Sequence, residues 1–99
     1  MISEREENDA IAEAKAKLTL GQKAVGLTFN PSGDPTVNRL KALYAEIIDI
    51  CNVEREQANA PADAVAPRRS NERIRLFSVA ITEAQGAQMW AVKAATWHD

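Results

Sequence analysis

The chain of 99 residues predicts an all-α protein: a short N-terminal helix, a structured loop, then a long antiparallel helical hairpin that assembles into a homo-oligomer. Three observations carry this. Two long stretches repeat apolar residues at three- and four-residue steps, the spacing of one helix face. An Ala/Pro-rich connector separates them, and no alternating apolar–polar run is long enough to predict a sheet. The length allows a single small core, near the lower limit for a domain that stands alone.

Residues 1–20 are expected to form an acidic helical arm, and residues 21–99 a helical hairpin domain for oligomerisation and for the binding signals described below. In the arm, Ser3-Glu4-Arg5-Glu6 has capping-box spacing, and Met1 to Leu18 carries only a thin apolar stripe at Ile11, Ala14 and Leu18. Such a helix is marginal alone and has to dock through that stripe. From Thr19 to Asp34, Gly21, Gly26, Pro31 and Gly33 punctuate the chain, and Asn30-Pro31-Ser32-Gly33-Asp34 is turn chemistry. Ala24 to Phe29 is too apolar for an exposed loop and is expected to be extended, packed against helices.

Asp34 suits an N-cap and Pro35 the first helical position. Val37, Leu40, Tyr44, Ile47, Ile48 and Cys51 then make an apolar face running to about Arg55. Gln57 to Arg69, with Pro61 and Pro67, is long enough to let the flanking helices lie antiparallel. The last helix is expected from Ser70, its N-cap, to Trp97, with Glu72 and Arg73 in the first turn. Ile74, Phe77, Ile81, Ala84, Gln88 and Ala91 form one face. Leu76, Val79, Ala80, Ala87, Met89, Trp90, Ala94 and Trp97 cover much of the remaining circumference. A helix apolar nearly all round is buried nearly all round, and a two-layer hairpin covers only one side. Further copies of the chain are expected to cover the other, with alanines allowing close approach and Trp90 and Trp97 as anchors.

Net charge is only −2, which argues against coating a DNA or RNA duplex or an acidic membrane. The charge is uneven: Glu4, Glu6, Glu7 and Asp9 lie at the start, and Arg68, Arg69, Arg73 and Arg75 near the last helix. One cysteine, Cys51, excludes an internal disulfide and a multi-cysteine metal site, and its apolar neighbours make it a small core residue. Without a signal peptide or an apolar run near 18 residues, an intracellular protein is expected. Catalytic signals are thin. The only histidine, His98, stands at the C-terminus, and no metalloprotease, Walker or dinucleotide-binding motif occurs. No enzyme activity, cofactor or metal is therefore expected.

Binding signals are richer. Phe29-Asn30-Pro31 immediately precedes a helix N-terminus, and Arg39, Lys41 and Tyr44 follow within its first turns. An aromatic, an amide and a cation in one place can stack a base and neutralise a phosphate. The same residues also fit a hydrophobic plug beside a solvated Lys41. Arg73 has two readings as well, an anion ligand near a helix start or a surface ion pair.

Phe29-Asn30-Pro31 before an amphipathic helix, then Ser70-x-Glu72-Arg73, then Thr82-x-x-Gln85-x-Ala87-x-Met89-Trp90-Ala91 resembles the phage anti-CBASS sponge family. That family shares its hairpin domain with the Thoeris anti-defence sponges, and the resemblance covers roughly Gly21 to Trp97. It implies a small helical protein, usually a hexamer, that sequesters cyclic di- and trinucleotides without cleaving them in the cytoplasm of the infected host. It further implies that Phe29, Asn30 and Pro31 with Lys41 (Tyr44 being the competing register) take cyclic dinucleotides, and that Arg73 lines a trinucleotide site. Family members often have Tyr where Phe29 stands and Glu where Gln85 stands. The alternative is a structural or protein-binding hairpin, an accessory factor of a phage or prophage.

Overall fold

The computed structural model describes residues 3, 5, 6, 8, 17–58 and 67–99. Its elements in that span are α1 (Leu20–Val25), α2 (Pro35–Ala58) and α3 (Pro67–Ala95). No strand occurs among the described residues. In the arm, Arg5, Glu6 and Asn8 are helical, and the Glu6 amide donates to Ser3 Oγ at 3.2 Å, one half of the expected capping box. The stripe residues Ile11 and Ala14 lie outside the described residues, while Leu18 sits in a bend.

The stretch expected to be extended begins instead as a helix. Thr19 Oγ1 accepts from the Gln22 amide at 3.1 Å, and Gln22 Oε1 accepts from the Thr19 amide at 3.0 Å, closing a capping box. Gly26, at φ 63°, ends α1 in the left-handed region that glycine enters freely. Gly21 belongs inside this helix because of what it faces. A Cβ there would stand 2.0 Å from the Ala45 carbonyl oxygen of α2. The bare backbone lets the helices touch, and the Gly21 amide donates to Asp49 Oδ1 at 2.7 Å, so a first-turn donor is satisfied from α2.

Asp34 caps α2 as expected: its Oδ1 accepts from the Thr36 amide at 2.8 Å and its carbonyl from Val37 at 3.1 Å. The helix continues past Arg55 to Ala58. The last helix starts earlier than expected, at Pro67, where a missing N–H costs nothing because first-turn donors have no partner in the helix. Glu72 and Arg73 consequently lie beyond the first turn. Of the expected connector, 57–58 and 67–69 are helical and 59–66 lie outside the described residues.

The two long helices run antiparallel. Arg55 near the end of α2 donates to Ser78 Oγ in the first half of α3 at 3.3 Å, whereas Val92 at the far end of α3 and Thr96 just past it line one cleft with Val37 and Lys41. Val25, Ala45, Ile48, Ile81 and Ala84 form the core, with Ala24, Leu27, Tyr44 and Cys51 packed on it. Ile74, Phe77 and Ala91 are half-buried and Ile81, Ala84 and Gln88 buried, so the expected inner face of α3 is the one that packs. The opposite side stays bare in the single chain: Leu76, Val79, Met89, Trp90 and Trp97 are all exposed, Trp90 by 72%. No helix among the described residues is long and apolar enough to cross a membrane.

Candidate ligand-binding clefts

The loop between α1 and α2 is built around one asparagine. Asn30 Nδ2 donates to the Asp34 carbonyl and to Asn38 Oδ1, both at 3.0 Å, and Asn30 Oδ1 accepts from Ser32 Oγ at 2.6 Å. Ser32 Oγ in turn accepts from the Asp34 amide at 3.1 Å. These bonds hold the turn that Gly33, at φ 66°, makes possible. The amide of Asn30 is thereby spent on the loop, and its position presents Phe29 and Pro31 outward.

Lys41 reaches that loop from the second turn of α2. Only 5% of it is exposed, its ammonium donates to the Gly26 carbonyl at 3.0 Å and to the Phe29 carbonyl, and it stands 5.5 Å from the Phe29 ring centre. Among the described residues no carboxylate pairs with it. A buried cation without a counter-ion is costly, and two carbonyls offset that only in part. An ammonium has three hydrogens, so one remains for a further acceptor. Phe29 above it is 69% exposed.

Phe29, Asn30, Pro31 and Lys41 come together around a cleft of about 240 Å³, completed by Ser32, Val37, Val92 and Thr96. The last two went unrecognised in the sequence: they come from the far end of α3, and only the antiparallel pairing brings them to the loop. Tyr44, one turn beyond Lys41, packs on the core next to Ala24 and Leu27 and does not line this cleft.

Arg73 is elsewhere, at the other end of the hairpin. Its Nη2 donates to Glu54 Oε2 at 3.0 Å, and its guanidinium carbon lies 5.6 Å from the Phe77 ring centre. With Leu76, Phe77 and Ala80 it borders a shallow cleft of about 360 Å³. Arg75 is tied to Glu72 within its own helix, Nε to Oε2 at 3.1 Å. The hydrogen bond from Arg75 holds the Glu72 carboxyl below its ordinary range.

The chain is thus a small helical hairpin with a cation-and-aromatic cleft at one end, an arginine at the other and an exposed apolar face on its last helix. The chain belongs to the Acb2/Tad1 family: the model described as Acb2/Tad1, hairpin domain, matches residues 21–96. That span starts at the glycine packed on α2 and ends one residue past α3. No curated protein and no solved structure matched the chain.

Proposed function

We propose that this chain is a phage immune-evasion protein that binds cyclic oligonucleotide messengers and holds them uncleaved, so that CBASS-type effectors in the host cytoplasm stay inactive. Membership of the Acb2/Tad1 hairpin family is consistent with that role. The observation that carries it is the buried Lys41 ammonium, unpaired by any carboxylate among the described residues and roofed by an exposed Phe29. Such a group asks for an anion, and the ring beside it asks for a flat partner; a nucleotide offers both.

The cleft in one chain is smaller than the roughly 300–1,000 Å³ usual for a whole small-molecule ligand. A cyclic dinucleotide is close to two-fold symmetric. Placed where two copies meet, it finds Phe29 and Lys41 twice, and each modest contact is doubled. Three copies of Arg73 would serve a cyclic trinucleotide in the same way. Assembly, as a hexamer on family grounds, would also cover Trp90 and its neighbours.

The chain needs no cofactor for this and performs no reaction. Incubation with cyclic GMP-AMP followed by denaturation and chromatography should return the ligand intact, and titration calorimetry should give a sub-micromolar Kd, about −8 kcal/mol or tighter. A hydrolysed product, or no heat with any cyclic di- or trinucleotide, overturns the proposal. The bare apolar face favours one rival, a hairpin that docks on a different protein. That rival predicts no heat in the same titration.

A further inference from the structure

The geometry points to Glu54 as the residue that sets affinity and ligand preference at Arg73, by occupying the guanidinium until an anion displaces it; this rests on Arg73 being an anion ligand. Two arginines stand close together on α3 and are held in different ways. Arg75 is gripped by Glu72 through two hydrogen bonds within one helix. Arg73 is reached from the opposite helix by a single contact, Nη2 to Glu54 Oε2. Among the described residues Glu54 is the only carboxylate paired with Arg73.

That contact is built to be exchanged. The Arg73 and Glu54 side chains are 58% and 39% exposed, and ion pairs of that exposure are weak and screened. Among the described residues only one of the five guanidinium N–H donors is engaged. The Phe77 ring, 5.6 Å away, supports the guanidinium, and Arg73 lines the neighbouring cleft. A phosphate can take two parallel donors from that fork, whereas Glu54 takes one. Losing the Glu54 contact does not release the hairpin, because Arg55 still bridges Asn52 and Ser78 a residue away.

The competitor has a second effect. Where several copies converge, each Arg73 arrives with its charge neutralised, and an incoming polyanion also meets the displaced carboxylates. Glu54 therefore weakens binding at Arg73 and leaves the Lys41 cleft, at the other end of the hairpin, untouched. The consequence is a bias between the two ligand sizes.

The test is titration of the full chain with cyclic tri-adenylate and, separately, cyclic GMP-AMP. Glu54→Gln keeps the shape and removes the charge; it should tighten cyclic tri-adenylate at least about threefold, the scale of one exposed ion pair, and leave cyclic GMP-AMP within about twofold. Glu54→Asp, which draws the oxygens back by one methylene, should tighten it less. Arg73→Ala should abolish the trinucleotide heat. If Arg73→Ala does so but neither Glu54 variant tightens binding, the competitor role is wrong and the Arg73 site stands. If Arg73→Ala changes nothing, the site itself is wrong and the competitor role falls with it.

Discussion

The Lys41 ammonium donates to the carbonyls of Gly26 and Phe29, so it shapes the loop that carries the aromatic as well as offering a charge to the cleft. Lys41→Ala removes both at once. It leaves the Phe29 carbonyl without its partner, at about 1–3 kcal/mol if that group stays buried, while the Gly26 carbonyl keeps the Phe29 amide at 2.9 Å; it should weaken cyclic dinucleotides at least tenfold while sparing trinucleotides. Arg73→Ala should do the reverse. Calorimetry with both ligands on variants of unchanged sedimentation checks this, and equal losses for both ligands would contradict a two-site protein. Phe29, Asn30, Pro31 and Lys41 were legible as neighbours because the turn and the next helix join them in sequence. Their separate roles were not. A lysine stem tolerates burial or snorkelling equally, so spacing does not tell a solvated Lys41 from a buried one. Of the three side-chain bonds that commit Asn30 to the loop, the one to Asn38 Oδ1 exists only once α2 has turned that residue toward it. The Arg73 partner was hidden too, because Glu54 lies across the whole connector.

At the scale of elements, α1 shows what periodicity misses. A six-residue helix offers less than two turns of pattern, and Gly21 signalled a break. The Thr19-x-x-Gln22 box was the signal that could have located it. The glycine there answers a tertiary demand, the approach to Ala45, which no local rule contains. Gly21→Ala should therefore destabilise the fold by about 1–3 kcal/mol, as overpacking does, rather than stabilise α1 as propensity alone would have it. Denaturant unfolding at matched protein concentration measures it, and a stabilised variant would contradict the close packing of α1 on α2. The two long helices were legible from their apolar faces because each spans many turns. The α3 start was misplaced at Ser70 since serine is a good cap, while Pro67 is a good first helical residue and prevailed.

For the whole molecule, the balance of surface decides the account. Among the described residues the buried apolar side chains are Val25, Val37, Ala45, Ile48, Ile81 and Ala84, two of them alanines, while Leu76, Val79, Met89 and Trp90 of α3 and Trp97 just beyond it are exposed. The Cα radius of gyration, 17.5 Å, exceeds the roughly 13 Å of a compact domain of this length. This excess was legible in the sequence, since a helix apolar on both sides cannot be covered by one partner. Which copies meet, and where, was not, because that depends on shapes no single chain holds. If copies gather to hide this surface and the gathering completes the Phe29 and Lys41 clefts, assembly and ligand capture are a single property. Sedimentation velocity of the pure chain with cyclic GMP-AMP, followed at a nucleotide wavelength, reads both together. The account predicts one discrete species several times the 10.8 kDa chain mass, a hexamer on family grounds, with nucleotide moving at its boundary. A chain sedimenting at 10.8 kDa while the nucleotide stays behind would contradict it.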